Sequence, residues 1–121
     1  MPGIQIFIEK YPESVYNNRL YALMGSSHFS LHEYNEAIEC FDECDPMLLE
    51  DRDCCRMLRH NAISLIRVGR VDEGFMQLKI LARMLEDAEF DEDVIFYYGY
   101  VDYVKGDYDR AAKRFRQSRD L

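Results

Sequence analysis

The chain has 121 residues, 48% of them hydrophobic and 31% charged, enough for one folded domain with a core and too few for that core plus a separate catalytic domain. Its 23 acidic and 15 basic side chains leave a formal charge of −8, so a nucleic acid meets net repulsion and is not an expected partner. The longest apolar run, 4–8, falls far short of a membrane span, so this segment is not expected to insert into a bilayer, and four cysteines bunched at 40, 44, 54 and 55 make no disulfide framework.

From the N-terminus, residues 4–11 read as the last turns of a helix, stopped by Pro12, with Ser14 as N-cap of the next helix. Tyr21, Met24, Gly25, His28 and Phe29 then recur at helical spacing, and a turn at 31–33 leads to a second helix marked by Tyr34, Ala37, Ile38 and Phe41. The next pair carries Leu58, Ala62, Leu65 and Ile66, then Gly69, then Val71, Phe75 and Leu78. Gly69 ends a helix, where glycine takes a left-handed conformation at little cost. Gly74 lies inside the following helix, where glycine costs about 1 kcal/mol relative to alanine, so a close helix crossing is expected there. In the third pair, 94–104 is a helix, 105–107 its turn and 108–119 the partner helix. Strand-like alternation is absent from all three pairs, and the predicted fold class is all-α.

The three pairs align with one another at a constant offset of 37 residues and no gap. Small residues recur at Gly25, Ala62 and Gly99, turn positions at His32, Gly69 and Gly106, and first residues of the second helix at Tyr34, Val71 and Tyr108. A second small series, Ala37, Gly74 and Ala111, precedes a large apolar series, Phe41, Leu78 and Phe115. The same offset sets Ile4 level with Phe41 and Phe7 level with Cys44, so 4–11 is expected to close a preceding unit, followed by repeats at 14–46, 51–86 and 91–121 in a single domain, 1–121. The chain stops one helix after Gly106 without a polar capping helix. It is therefore expected to be a piece of a longer array, or to cover its open ends by self-association.

The phrase Tyr-Val-Lys-Gly-Asp-Tyr-Asp-Arg-Ala-Ala at 103–112 resembles the turn signature of the tetratricopeptide repeat family, and Leu-His-Glu-Tyr-Asn-Glu-Ala-Ile at 31–38 is a second copy. The resemblance covers nearly the whole chain. It implies a right-handed α-α superhelix of three helical hairpins plus the end of a preceding helix, acting as a protein-binding scaffold and not as an enzyme. The period exceeds the family's usual one by three residues, so 47–53 and 87–93 are expected to hold longer turns or longer helices. The family's proline after the second helix survives only as Pro46. A further phrase, Phe-Ile-Glu-Lys-Tyr-Pro-Glu-Ser-Val-Tyr at 7–16, resembles repeats of bacterial cell-envelope proteins such as outer-membrane assembly lipoproteins and the cell-division coordinator. That implies the periplasmic side of the envelope if the chain belongs to a longer protein of this kind, and the cytoplasm otherwise.

In this family the first helix of each hairpin lines the concave surface, which implies groove residues in three sets. These are Arg19, Ala22, Leu23, Ser26 and Ser30; Arg56, Arg59, His60, Ile63 and Arg67; and Phe96, Tyr97, Tyr100, Tyr103 and Val104. The partner-binding set is Arg19, Arg56, Arg59, His60, Arg67, Phe96, Tyr97, Tyr100 and Tyr103, basic at one end and aromatic at the other. It suits a protein or peptide segment with acidic and apolar side chains. The competing reading is that the arginines are solvated and the tyrosines pack between repeats. The family's lysine, asparagine and arginine clamp for a chaperone's C-terminal carboxylate has no counterpart, because Ala22, Ser26, His60, Asp93 and Tyr97 stand at its positions.

Cys40 and Cys44, spaced i, i+4, together with Cys54, Cys55 and His60, suggest a metal site, but the spacing matches no common zinc module. Cys44 falls on a repeat position read as buried, where cysteine acts as a small hydrophobe. His28 reads as a hydrogen-bonded core residue and His32 as part of a turn. The acidic clusters Glu50, Asp51, Asp53 and Glu89, Asp91, Glu92, Asp93 read as solvated helix starts. With no phosphate loop and no nucleophile motif in the chain, no catalytic residue, cofactor or metal is expected.

Overall fold

The computed structural model describes residues 2–121, and within them every regular element is helical. In chain order these are α1 (Pro2–Lys10), α2 (Asn17–Ser30), α3 (Tyr34–Asp42), α4 (Asp51–Arg67), α5 (Val71–Met84), α6 (Glu92–Val104) and α7 (Tyr108–Arg119). Short 3-10 turns, Pro46–Leu48 and Ala88–Phe90, lie in the two longer connections. α2 pairs with α3, α4 with α5 and α6 with α7, and each pair packs on its neighbours along the chain: α4 against α2 and α3, α6 against α5, α1 against α2.

The three hairpin turns are one structure repeated. His32, Gly69 and Gly106 hold positive φ, at 60°, 92° and 87°, as the second residue beyond each helix that must reverse direction. Across each turn the same six-residue bond closes: Glu33 N to His28 O at 2.9 Å, Arg70 N to Leu65 O at 2.8 Å, Asp107 N to Asp102 O at 2.9 Å. Donors at 33, 70 and 107 and acceptors at 28, 65 and 102 both step by 37 residues, the interval of the sequence repeat. These bonds satisfy carbonyls that the helix end would leave without partners, which fixes where each hairpin bends.

Beyond the turn, small residues let the paired helices cross closely. A β-carbon on Gly25 would stand 2.5 Å from the Phe41 ring, and one on Gly99 would stand 3.0 Å from the Phe115 ring. In the middle hairpin the counterpart pair is Ala62 and Leu78, both fully buried, so a smaller large residue faces a larger small one. Gly74 makes that crossing possible from the other side, since a β-carbon there would meet Ile66 at 2.6 Å and the Ala62 carbonyl at 2.8 Å. The expected close approach at Gly74 is therefore present.

The two junctions between hairpins are built differently. α3 has only 9 residues and hands on to a long connection, in which Asp45 caps the 3-10 turn through Met47 N at 3.0 Å. Asn18 ties that connection to α2 by donating to Asp45 O at 2.9 Å and accepting from Asp45 N at 2.6 Å. α5 instead runs for 14 residues, and Asp91 caps α6 through Val94 N at 3.1 Å. The acidic clusters sit where helices begin, with Asp51 and Asp53 in the first turn of α4 and Glu92 and Asp93 in the first turn of α6.

At the N-terminal end one expectation is corrected. Ser14 does not cap α2: its hydroxyl accepts from Tyr16 N at 3.2 Å inside the preceding turn, and α2 starts at Asn17 with no side-chain cap. The buried Asn17 organises this entry instead, donating to Tyr11 O at 2.7 Å. The main core runs from Phe41 and Cys44 through Leu58, Ile66 and Leu78 to Tyr97 and Val101, and α1 joins through a smaller cluster of Ile8, Met24 and Cys40.

Candidate functional site

The first helices of successive hairpins meet through polar and aromatic side chains. Between α2 and α4, His60 Nδ1 lies 2.9 Å from Ser26 Oγ while the His60 ring stacks on Phe29, centroids 4.2 Å apart and planes 13° apart. Burial, followed by the nearby Arg56 and Arg59 charges, pushes His60 down to about 4, so its imidazole is neutral near pH 7 and offers no charge to a ligand. Between α4 and α6, Arg59 donates to both oxygens of Asp91, at 2.7 and 2.8 Å, and to Asp93 at 3.1 Å. That fork holds the Asp91 carboxyl below its ordinary range.

The basic end of the sequence-derived set is thus engaged from within. Arg19 and Arg56 both reach Asp53, at 3.6 and 2.6 Å, and Arg59 is held by Asp91 and Asp93. The acidic helix starts that flank these arginines supply the counter-charges. Ala22, Ile63 and Tyr97 are buried, so the stripe is narrower than the spacing alone implies.

What stays open is the face of α6. Phe96, Tyr100 and Tyr103, spaced i, i+4, i+7, are exposed by 40%, 37% and 56%, and Val104 lies beside them. Each ring is braced from behind: Phe96 by Tyr97 at 5.0 Å and Phe115 at 5.3 Å, Tyr100 by Tyr97 at 6.5 Å, and Tyr103 by Tyr108 at 5.4 Å. At the edge of this ladder stands Arg67, exposed on the last turn of α4, with no carboxylate in ion-pair range among the described residues. The Tyr97 hydroxyl beside it, with Tyr34 and Tyr100 near, raises its affinity for its proton further. An uncompensated guanidinium next to pre-organised aromatic rings suits a carboxylate flanked by apolar groups.

Several contributors were not read from the sequence. Tyr34 and Tyr108 recur at one repeat position, a signal that could have placed them beside the groove. Asp53, Asp91 and Asp93 carry no such signal for their pairing, because Asp91 is 32 residues from Arg59. His28 has a partner, Glu33 Oε1 at 3.2 Å, and His32 Nδ1 lies 2.8 Å from the Tyr34 hydroxyl. The cysteine and histidine set does not converge: Cys40 belongs to the α1 cluster, while Cys44 and Cys54 lie in the main core. Burial, with Asp45 and Cys54 adding to it, pushes the Cys44 thiol up to about 11. Compared with known protein families, curated proteins and solved structures, the chain matches none of them.

Proposed function

We propose that the chain is a protein-interaction scaffold of tetratricopeptide type, with its hairpins coiled into a right-handed superhelix and α2, α4 and α6 on the concave side. The repeated turn and crossing at a 37-residue interval support the architecture, and so do the contacts that run from α2 to α4 to α6. The single observation that carries the binding role is Arg67, which has the Tyr97 hydroxyl beside it but no carboxylate in ion-pair range among the described residues, next to the exposed Phe96, Tyr100 and Tyr103 ladder. Rigid aromatic anchors and a guanidinium without a carboxylate partner are features of a surface that gains from being covered.

The rest of the molecule sharpens the ligand. With a net charge of −8, a run of acidic residues would be repelled at long range, so the partner segment carries one or two carboxylates set among apolar side chains. Selection from a random displayed-peptide library on the immobilised chain tests this. Recovered sequences should share an acidic residue next to apolar ones and lose tenfold or more in affinity against Arg67→Glu and against Tyr100→Ala. Peptides that bind both variants as they bind the parent chain would rule the site out.

A further inference from the structure

Two grooves at equivalent places in the repeat carry opposite charge. The first, between α1 and α3 with α2 beneath, is a cavity of about 320 Å³ in which Ile8, Tyr21 and Met24 line the floor and the carboxylates of Glu9, Glu36 and Glu39 stand around them. The other, of about 210 Å³, lies between α5 and α7 with α6 beneath; Ala82 and Tyr98 line it beside Arg114, and Glu89 is the one carboxylate among its lining residues.

The repeat turns this contrast into a one-to-one correspondence. A step of 74 residues, two repeat intervals, leads from Gln5, Glu9, Glu36 and Glu39 to Lys79, Arg83, Arg110 and Lys113. Each carboxylate of the first groove thus has a cation at the same position of the later one. Glu9, Glu36, Glu39, Arg83, Arg110 and Lys113 are all exposed. Among the described residues only Arg110 of these six reaches a counter-charge, Asp107 at 3.8 Å. Elsewhere the chain neutralises its own arginines, as Asp53 does for Arg56 and Asp91 for Arg59. Here it cannot, because no Lys or Arg lies from 20 to 51 and two repeats separate the acidic set from the basic one. Glu36 and Glu39, like Arg110 and Lys113, are spaced i, i+3, so each helix carries a like-charge repulsion that an opposite charge would relieve.

From this correspondence we infer that the acidic α1–α3 groove is a docking site for a second copy of the chain, which presents its basic α5–α7 face to it. The chain itself supplies the complementary set at the matching positions. The long stems of Arg110 and Lys113 lie along the apolar floor of Ile8, Tyr21 and Met24 while their charged heads meet Glu9, Glu36 and Glu39. The contact joins two different patches, so each copy in a pair keeps one acidic and one basic face for further copies, which join head to tail. With a charge of −8 on each copy, two chains repel at long range, so only the arrangement that sets opposite faces together associates, and it does so weakly. This surface is separate from the Arg67 face and does not rest on it.

Sedimentation equilibrium of the full chain at low ionic strength should show a mass that rises with concentration, and about 0.5 M NaCl should weaken the association about tenfold or more, because exposed ion pairs are screened. Contact through apolar surface would respond the other way, since salt also screens the net repulsion between acidic copies. Glu36→Lys with Glu39→Lys should abolish association even though it lowers the net negative charge. Arg110→Glu with Lys113→Glu should abolish it too, and an equimolar mixture of the two double variants should regain it, because the reversed faces match each other. All four positions are exposed, and unchanged circular dichroism verifies that the variants fold. The proposal is overturned by a monomer at every concentration, which would leave each face to a different partner of opposite charge, or by association that salt strengthens. Double variants that associate as the parent chain does, or that stay monomeric when mixed, equally overturn it.

Discussion

Gly25 and Phe41 are packed so closely that a β-carbon on the glycine would stand 2.5 Å from the ring edge. The same crossing at Gly74 is closed by backbone, the Ala62 carbonyl at 2.8 Å, whereas at Gly99 the nearest atom is a ring carbon of the partly buried Phe115 at 3.0 Å. Alanine gains about 1 kcal/mol of helix propensity at any of these sites, while overpacking costs about 1–3 kcal/mol or more. The outcome depends on what can move. Gly74→Ala should therefore be the most damaging, by about 2 kcal/mol net, Gly25→Ala intermediate, and Gly99→Ala near neutral. Urea unfolding of the three variants checks the order, and a stabilising Gly74→Ala would contradict the crossing geometry.

His32 occupies with φ 60° the position that Gly69 and Gly106 hold in the other two hairpins. A non-glycine residue there carries about 1–2 kcal/mol of left-handed strain, against about 0.5–1 kcal/mol of entropy that glycine would lose on folding. The exposed bond from His32 to Tyr34 offsets little of this. His32→Gly should accordingly stabilise the chain by about 0.5 kcal/mol, and Gly69→Ala or Gly106→Ala should destabilise it by about 1–2 kcal/mol. Thermal unfolding midpoints moving in the same direction for His32→Gly and Gly69→Ala would refute the equivalence of the turns.

Arg59 forks onto Asp91 and Asp93 with its side chain three-quarters buried. Removing it strands the Asp91 carboxylate, which still has Val94 N as a donor but no cation. Arg59→Leu should cost about 2–3 kcal/mol, Asp91→Asn less because asparagine still caps α6 and Arg59 keeps Asp93, and Asp93→Asn least because that side chain is half exposed. Denaturant midpoints rank the three. Equal effects from all of them would mean that the fork holds nothing together.

The fold was legible wherever chirality or volume restricts the residue. A reversal that needs positive φ selects Gly69 and Gly106, and their spacing brings His32 in as the third member although histidine alone signals nothing. The Gly25–Phe41 and Gly99–Phe115 pairs are legible for the same reason, since a large ring requires a small partner. Charge pairing was not legible. Arg56 and Arg59 look free on a helix whose repeat period sets them facing outward, yet the acids that neutralise them enter from a turn below or from the next repeat. Arg67, on the last turn of α4, has no such carboxylate neighbour among the described residues, a difference that no local pattern encodes. Ser14 failed as a cap because a nearby turn could use its hydroxyl and Asn17 could fix the entry from one residue inside the helix.

Acid should weaken the structure in two separable stages. His60 titrates near 6.5 when unfolded but is pushed down to about 4 in the fold, by burial first and then by Arg56 and Arg59, with Asp93 opposing. Above about pH 6.5 both states are neutral and this group gives no pH dependence. Between about 6.5 and 4 the unfolded chain takes up a proton that the folded one resists, so stability falls as the pH falls, and below about 4 this loss is complete. Asp91 behaves as a carboxylate whose pKa Arg59 depresses, so its contribution is whole above the ordinary carboxylate range and is lost only as the pH drops through and below that range. His60→Phe, which preserves the stack on Phe29, should flatten the urea midpoint between pH 6.5 and 4 and leave the more acidic limb intact. Arg59→Leu should flatten the acidic limb and, by removing one of the charges that depress His60, shift the first limb to a narrower range. An unaltered pH profile in His60→Phe would mean that the imidazole between Ser26 and Phe29 is free to take its proton in the folded chain.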